Sequence, residues 1–300
     1  MAKFDQPNVH APNPNLKVWL NGRLVPVGEA AINVFDHGVL YGDGVFEGLR
    51  SYGGRVFRLK QHLQRLEDSA RAIRLVMPMP KEEMTEAIYR TMEANGIRDG
   101  YIRLVVTRGV GTLGLSPNRA GCPSVFIIAS QIDLYPRELY EKGMAIVSTS
   151  IVRNHPNALS ARIKSCNYLN NILAKIEAQD AGVHEAIMYN HCGYVAECTG
   201  DNIFLVRNGV VQTPPITAGI LEGITRDAVI ELVRQRSLPI REMDLTRHDL
   251  YVADECFLTG SAAEVIPVTS IDGRPIGNAQ PGPVTLQLIA DFRELVNREE

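Results

Sequence analysis

The chain has 300 residues, 45% of them hydrophobic and 22% charged, which is enough to bury one large core or two moderate ones. Its formal net charge of −3 provides no basic surface for a nucleic-acid backbone, and no uncharged apolar run approaches the ~20 residues that cross a bilayer. We therefore expect a two-domain cytoplasmic protein that binds neither nucleic acid nor membrane.

The cysteines argue against two further classes of protein. They are odd in number and form no C-x-x-C pair, so they fit neither a disulfide framework nor a structural zinc site. We expect reduced thiols and no metal. The cysteines are Cys122, Cys166, Cys192, Cys198 and Cys256.

Hairpin and helix signals alternate along the first part of the chain. Asn21-Gly22 and Gly53-Gly54 are each flanked by β-prone runs, which predicts two hairpins. Apolar residues spaced by three and four predict an amphipathic helix over 59–73, and a second helix is expected from Pro80 to Gly96. Two β-rich runs follow, at 101–108 and 124–131.

The periodic pattern lapses around 131–136, and a second set of elements begins at about residue 145. We predict a smaller N-terminal domain of mixed α and β structure over residues 1–131, an interdomain loop over 132–137 and a larger C-terminal domain over 138–300. The expected fold class is α+β.

In the second part, Leu169, Ile172, Leu173 and Ile176 form an i, i+3, i+4, i+7 stripe, which predicts a half-buried helix that ends near Gly182. Turn residues separate further short β-prone runs. Strands are expected at 145–150, 184–190, 194–199, 203–207, 210–213 and 255–259, and helices at 225–236 and 284–297.

The segment Gly109–Gly114 matches the G-x-G-x-x-G pattern of dinucleotide-binding proteins and follows a predicted strand. That pattern requires a helix directly after it, within a βαβ unit. Here Leu115-Ser116-Pro117-Asn118 follows instead. We therefore do not expect a nucleotide site.

Three features could carry chemistry. Lys164 has no charged neighbour nearer than Arg162, and Glu197 lies in an apolar strand with no obvious cation beside it. A helix that starts at Gly223-Ile224-Thr225 offers free backbone N–H groups to a phosphate. Taken singly, an exposed loop lysine, a solvent-facing glutamate and an ordinary helix start explain them equally well.

Seven segments decide between these interpretations. They are YGDGVFEGLRSY (41–52), VFRLKQHLQRLEDSA (56–70), YIR (101–103), KSCNYLNNILAKIEA (164–178), YVAECTGDNIF (194–204), LEGITRDA (221–228) and FLTGSAAEVIPV (257–268). Together and in this order they closely resemble the branched-chain amino acid aminotransferases, which are fold-type IV enzymes dependent on pyridoxal 5′-phosphate. The resemblance implies a β-barrel-like sheet core in the C-terminal domain and a site at the domain interface.

The resemblance also assigns residues to the cofactor. Lys164 would form the Schiff base, Glu197 would meet the pyridine nitrogen and Tyr168 the phenolic oxygen. Arg58 would bind the phosphate, since arginine suits oxyanions. Leu221 would pack against the ring, and the remaining phosphate ligands would be Ile224, Thr225 and Ser261.

For the substrate, the resemblance implies that Tyr101 contacts the α-carboxylate and that Arg103 meets the distal carboxylate of glutamate. The two should point the same way, because alternate residues of a strand share a face. An ordinary surface arginine is the alternative for Arg103. Further contacts would come from the backbone of Ser261 and Ala262, from Phe46 as an apolar wall, and from Tyr41 and Leu115 of a partner subunit.

The implied activity is transamination of leucine, isoleucine and valine with 2-oxoglutarate, in ping-pong order, in a cytoplasmic homodimer or larger homo-oligomer that serves branched-chain amino acid biosynthesis. A D-amino-acid aminotransferase or an aminodeoxychorismate lyase of the same fold is the alternative. A third possibility is a catalytically silent binding protein that kept the fold. Three departures leave side-chain preference open: Ser261 replaces a threonine, the 109–117 loop is long, and 132–136 lacks a tryptophan. Cys166 and Cys198 receive no role.

Overall fold

The computed structural model describes residues 13–132 and 134–298. Two β-sheets, each covered by helices, lie on either side of the segment 131–136. The expected mixed α and β fold class is confirmed. The division into domains at 131 and 138 stays a prediction, and residues 1–12 and Asp133, which it includes, lie outside the described residues.

The first sheet has six strands in the order β2-β1-β6-β5-β3-β4. Its neighbouring strands are antiparallel. The elements of this part are β1 (Lys17–Leu20), β2 (Arg23–Pro26), α1 (His37–Tyr41), β3 (Gly44–Tyr52), β4 (Arg55–Val56), α2 (Leu59–Ala72), α3 (Lys81–Ala94), β5 (Gly100–Gly111) and β6 (Ala120–Ser130).

The two faces of this sheet have different roles. One face carries Leu49, Ile102 and Leu104, which pack with Leu66 of α2 and Ile88 of α3 in the core. The other face carries the alternate residues of β3 and β5 and is turned towards the second sheet. Strand periodicity therefore separates a core face from a face that is available to a site.

The second sheet has nine strands, eight of them in the order β12-β11-β10-β13-β14-β7-β8-β9, with β15 paired to β14. It mixes antiparallel pairs with the parallel pairs β7·β8, β7·β14 and β11·β12. The elements are α4 (Arg137–Lys142), β7 (Met144–Val152), α5 (Leu169–Asp180), β8 (Glu185–Tyr189), β9 (Val195–Cys198), β10 (Asn202–Arg207), β11 (Val210–Thr213), α6 (Ile224–Gln235), β12 (Ile240–Glu242), α7 (Arg247–Tyr251), β13 (Glu255–Gly260), β14 (Glu264–Ile271), β15 (Arg274–Pro275) and α8 (Pro283–Arg298).

This sheet also has a core on each face. Phe204 and Val206 pack with residues of α6 and α8, whereas Ile203 and Leu205 face the opposite way into a separate cluster. None of the helices in the described residues combines the length and the apolar character that a bilayer crossing demands.

Helix α5 confirms the predicted helix, but its apolar stripe does not lie in the core of the chain. Leu169, Ile172, Leu173 and Ile176 are 66%, 51%, 44% and 45% exposed. The buried face carries Asn171, Ala174 and Ala178, whose small side chains let α5 lie close against β7 and β8. The helix is therefore half buried, as expected, through its face of small residues, and the apolar stripe lies on its exposed face.

Several elements escaped the sequence pattern: α1, α4, α7, β12, β14 and β15. The important omission is β14, a central strand that pairs with both β13 and β7. It contains Pro267, and proline argues against a central strand because it donates no ladder hydrogen bond. The pairing with β7 breaks register just beyond that proline, between Val268 and Ser270.

As the sequence predicted, the glycine-rich segment 109–114 does not open a helix. Its first three residues continue β5. Gly109 has φ +89° at a bulge between β5 and β6, and a Cβ there would collide with the carbonyl oxygen of Cys122. Only glycine fits this conformation without strain.

We expect Gly109→Ala to lower the free energy of unfolding by about 2 kcal/mol or more, because it adds a clash to a positive φ. Gly121→Ala is the matched control, since Gly121 lies in the adjoining strand with open space at its Cβ position and should change stability by less than about 1 kcal/mol. Urea denaturation of both variants measures the difference. Equal losses would contradict the proposed strain.

Candidate active site

A cavity of about 570 Å³ lies between the two sheets. Its wall is formed by the free faces of β3 and β5, the segments before α5 and α6, and the end of β13. Most residues that the sequence analysis selected line it. They are Phe46, Tyr101, Arg103, Lys164, Tyr168, Leu221, Ile224, Thr225, Ser261 and Ala262.

Lys164 is fixed in this cavity by its own main chain. The backbone N–H of Phe46 donates to the Lys164 carbonyl (2.9 Å), and the N–H of Lys164 donates to the Ser69 hydroxyl (3.1 Å). Its Nζ lies 3.2 Å from the Tyr168 hydroxyl and 4.6 Å from the centre of the Phe46 ring. Within the described residues no carboxylate lies within ion-pair distance of this ammonium. Lys164 is therefore a half-buried cavity lysine and not an exposed loop residue.

Glu197 is 5% exposed, and it has a cation that the sequence did not reveal. Nε of Arg153 donates to one carboxylate oxygen (2.9 Å), and the backbone N–H of Leu221 donates to the other (2.9 Å). Asn202 adds a longer contact of 3.3 Å. Burial raises the pKa of Glu197 above its ordinary value, and Arg153 opposes that shift. The expectation that no cation lies near Glu197 is therefore wrong. The sequence did not reveal Arg153, because it is 44 residues away from Glu197 along the chain.

The N-terminus of α6 opens on the cavity without a side-chain cap. The backbone N–H groups of Ile224 and Thr225 precede the first helical hydrogen bond, from Asp227 to Gly223. A side chain at Gly223 would collide with Asn202, so only glycine lets the helix start lie here. The hydroxyl of Thr259 lines the same cavity and, among the described residues, has no hydrogen-bond partner although it is buried. This end of the cavity is suited to a group rich in acceptor atoms.

Tyr101 and Arg103 project from the same face of β5, as predicted. The Arg103 guanidinium carbon lies 4.4 Å from the Phe46 ring centre and 5.5 Å from the Tyr101 ring centre. No carboxylate in the described part of the chain pairs with it. Gly48 makes room for the Tyr101 hydroxyl, because a Cβ at that position would collide with it. Arg103 is therefore a cavity cation and not a surface arginine.

A second cavity arginine, Arg65 of α2, was not selected from the sequence. Its guanidinium makes two bonds to Glu47 (2.8 and 2.9 Å) and a third to the carbonyl of Glu222, just before α6 (2.6 Å). Burial alone raises the pKa of Glu47, but Arg65 and His62 outweigh it and hold that pKa well below its ordinary value. Arg65 thus ties α2 to the start of α6. Its position in an amphipathic helix gave no signal for this role.

Four selected residues are not among those that line the cavity: Glu197, which is described above, and Arg58, Tyr41 and Leu115. The Arg58 guanidinium contacts Glu231 of α6 at 2.5 Å. Tyr41 accepts a hydrogen bond from the backbone of Gly114 (2.9 Å), and Leu115 is 82% exposed in the same loop. The phosphate role of Arg58 and the contribution of Tyr41 and Leu115 to a partner subunit stay predictions.

The two cysteines beside the selected residues differ in position. Cys166 lines the cavity, and burial raises the pKa of its thiol to about 11. Cys198 is 1% exposed, and burial raises its pKa well above its ordinary value. Both thiols therefore keep their protons near neutral pH, which makes them poor nucleophiles.

The comparisons with known proteins point to one family. The model of the amino-transferase class IV family matches residues 44–271. A Methanocaldococcus jannaschii protein named "Putative branched-chain-amino-acid aminotransferase" is 50% identical over 93% of this chain and 96% of its own length. The branched-chain-amino-acid aminotransferase of Escherichia coli K12 is 37% identical over 94% and 93%.

A solved structure agrees with these relatives. The branched-chain amino acid aminotransferase of T.th. with pyridoxamine 5′-phosphate superposes with a TM-score of 0.91 at 39% identity, over 95% of each chain. The chain belongs to the class IV aminotransferases, in the group whose members are named branched-chain-amino-acid aminotransferases.

Removal of Arg153 tests the buried ion pair. Arg153→Gln should lower the free energy of unfolding by about 3–5 kcal/mol at pH 8, because it leaves Glu197 buried without its cation. The loss should be smaller at pH 5.5. The folded pKa of Glu197 is already raised and rises further in the variant, so protonation relieves the buried charge as the pH falls. Chemical denaturation at both pH values measures this.

Two controls accompany that experiment. Arg207→Gln removes an exposed ion pair with Asp254 and should cost less than about 1 kcal/mol at either pH. Glu197→Gln combined with Arg153→Gln should recover part of the loss, because no buried charge remains. A loss that does not depend on pH would contradict an ionised Glu197.

Proposed function

We propose that this protein transfers the amino group of leucine, isoleucine or valine to 2-oxoglutarate, with pyridoxal 5′-phosphate attached to Lys164. The observation that supports this most directly is the set of charges in the cavity. A lysine and an arginine, Lys164 and Arg103, face the cavity without carboxylate partners in the described residues, while the carboxylate of Glu197 lies behind it.

The chemistry of the residues present fits this cofactor. A phosphate dianion needs N–H donors and a helix start, which Ile224 and Thr225 supply. The unpartnered hydroxyl of Thr259 and the neighbouring Ser261 border that end of the cavity. Arg58, which contacts Glu231 of α6, adds an arginine near the same helix. Lys164 and Tyr168 would hold the aldehyde end, and Glu197 the ring nitrogen.

When bound, this cofactor supplies an electron sink for the pair of electrons released at the substrate Cα. The side chains of the protein would move the proton, orient the amine and fix the protonation of the ring nitrogen. Nζ of Lys164 would move a proton from the substrate Cα to C4′ of the cofactor in the first half-reaction, and from C4′ to Cα in the second. Tyr168 orients that amine through the 3.2 Å contact. Glu197, paired with Arg153, would keep the ring nitrogen protonated.

Two substrates of different character must use one place. The apolar side chain of leucine would lie against Phe46 and Val105, both on the cavity wall. The distal carboxylate of glutamate would pair with Arg103, which has no carboxylate partner in the described residues and stacks on Phe46. The phenol of Tyr101, beside Gly48, is placed to donate to the α-carboxylate. The Phe46 ring can contact the apolar side chain of leucine, and the Arg103 guanidinium stacked on that ring can pair with the distal carboxylate of glutamate. One pocket can therefore bind both substrates.

Turnover with single amino acids tests the activity. Leucine should convert the cofactor absorbance of the aldehyde form to that of the amine form, and 2-oxoglutarate should reverse it. Lys164→Ala should lower kcat by about 10³-fold or more while the fold is retained, because the proton carrier is lost. Lys142→Ala, on the exposed α4, is the control and should leave kcat unchanged. Conversion by D-alanine alone, or release of pyruvate from aminodeoxychorismate, would contradict the proposal.

We also propose a homodimer built on α5. Its exposed stripe of Leu169, Ile172, Leu173 and Ile176 is the kind of contiguous apolar surface that soluble proteins bury against a partner. Other exposed apolar residues lie around α1, which carries Tyr41, and in the loop after β5, which carries Leu115; they are Val34, Phe35, Val39, Leu113 and Leu115. In the dimer Tyr41 and Leu115 would complete the partner's cavity.

Leu173→Glu tests the dimer. It should raise the dissociation constant of the dimer by about 100-fold or more, because a carboxylate would be buried without a partner. KM for leucine should rise with it, since Tyr41 and Leu115 of the second copy would no longer close the cavity. Gln179→Glu, an exposed polar position of the same helix, is the matched control. Sedimentation across a concentration series measures both; an unchanged dimer would contradict the proposed interface.

We place the reaction in the cytoplasm. All five cysteines are free, and Cys122 and Cys192 are exposed. Exposed free thiols persist in a reducing compartment and become oxidised outside it.

A further inference from the structure

Three buried polar side chains meet beside the cavity, and the proposed reaction uses none of them. The Tyr135 hydroxyl lies 3.1 Å from Asp201 Oδ2 and 3.3 Å from Glu185 Oε2. Tyr135, Asp201 and Glu185 are 6%, 6% and 1% exposed, and all three border the cavity. Two carboxyl groups therefore share one phenol out of reach of bulk water.

Hydrogen counting shows that this cluster holds an additional proton. A phenol has a single hydrogen and can donate to only one carboxylate. The contact between the phenol and the other carboxyl group is favourable only if this other group carries a proton and donates a hydrogen bond to the phenol oxygen. Burial raises the pKa of Tyr135, so its own hydroxyl stays protonated. One of the two carboxyl groups must therefore be the neutral acid.

The proton belongs on Asp201. Glu185 is well served as an anion: Oε1 accepts from the backbone N–H groups of Ala186 (2.8 Å) and Thr199 (2.9 Å), and Nζ of Lys175 lies 3.5 Å from Oε2. In the described residues the Asp201 carboxyl group has Tyr135 as its one hydrogen-bond partner. Burial and the neighbouring charge of Glu185 raise the pKa of Asp201 to about 7.

Among the described residues, none of the other groups packed around the cluster donates a hydrogen bond to the Asp201 carboxyl group. Lys175 of α5 faces Glu185 and lies 5.8 Å from the Tyr135 ring centre. His184 meets that ring edge-on at 6.1 Å. From β9, Cys198 is buried with a raised pKa, and Glu197 adds negative charge that also favours the acid form of Asp201. From β13, Gly260 presents only backbone, because a side chain there would collide with Asp201.

The position of Tyr135 connects this proton to substrate binding. Tyr135 lies in the connecting segment, by which we mean residues 134–136 before α4, and its ring borders the cavity. Glu185 and Asp201 lie on β8 and next to β10, in the second sheet. The two contacts of the phenol therefore anchor the connecting segment to the wall of the cavity.

We propose that Asp201, as a neutral acid, is a positioning residue that holds Tyr135 and the connecting segment against the substrate cavity, and that loss of its proton releases them. Ionisation would leave two carboxylates facing one hydroxyl, so one contact breaks and the segment loosens. Substrate binding then weakens while the reacting groups around Lys164 stay in place. This inference rests on the proposed function only for the choice of substrate.

The first test follows KM for a branched-chain 2-oxo acid with the enzyme in its amine form, because such an acid has no group that titrates between roughly pH 6 and 8.5. Full coupling would raise KM about tenfold per pH unit above the folded pKa, and we expect at least a threefold rise across this range with kcat little changed. Asp201→Asn keeps a donor to the phenol but cannot ionise, so its KM should stay flat. Asp254→Asn, an exposed aspartate of the same sheet, should follow the wild type.

The second test needs no turnover. The folded state keeps the Asp201 proton that the unfolded chain releases near pH ~4, so the contribution of Asp201 to the stability of the holoenzyme falls as the pH rises from about 4 to about 7. Relative to Asp201→Asn, the wild-type Tm should drop by about 4 °C or more between pH 5 and pH 8. Infrared difference spectra should show a protonated-carboxyl band at pH 6 that disappears by pH 8.5 and is missing in Asp201→Asn.

Tyr135→Phe keeps the ring and removes the shared hydroxyl, so it should raise KM at every pH, with kcat within about twofold, and abolish the pH dependence. Parallel KM profiles in wild type and Asp201→Asn would overturn the inference. So would an infrared band that persists in Asp201→Asn and vanishes in Glu185→Gln. If branched-chain substrates failed to react at all, the proposed function would fall while the Tm and infrared readouts still decided the location of the proton.

Discussion

The site depends on a short stretch of main chain that joins the two sheets at Lys164. Gly44 and Phe46 at the start of β3 bond to Cys166 and Lys164, with N···O distances of 2.8 and 2.9 Å, and Ser69 of α2 receives the Lys164 N–H. These bonds fix the backbone of a residue whose side chain has many rotamers. The ammonium therefore points into the cavity without an ion pair to hold it, and it stays available for chemistry.

The buried charges around the cavity follow one rule. Three buried carboxylates have a cation beside them: Glu197 has Arg153, Glu47 has Arg65, and Glu185 has Lys175 together with two backbone N–H groups. Among the described residues Asp201 has no cation within ion-pair distance, and its pKa is raised instead. In a medium of low dielectric constant a buried acid is either paired or neutral, and this protein uses both solutions within one wall.

Two apolar surfaces remain exposed, and both concern assembly with a second copy of the chain. α5 presents its apolar stripe outwards because small residues on its other side fit against β7 and β8. The loop with Leu113 and Leu115, which is hydrogen-bonded to Tyr41 of α1, is exposed and apolar as well. A second copy that covers both surfaces would remove apolar area from water and enclose the cavity in the same step, so assembly and substrate binding would be coupled.

The sequence alone determined the local elements and the residue types of the site. Period-two and period-3.6 patterns located β1, β3, β5, α2 and α5, and the motifs selected Lys164, Glu197, Tyr101 and Arg103. Whatever depends on distant contacts was decided by tertiary structure. Arg153, Arg65 and Tyr135 gained their positions from partners 44, 18 and 66 residues away, and β14 became a central strand although it contains Pro267. Periodicity reports which face of an element is apolar, whereas burial, pairing and protonation depend on which other element packs against that face.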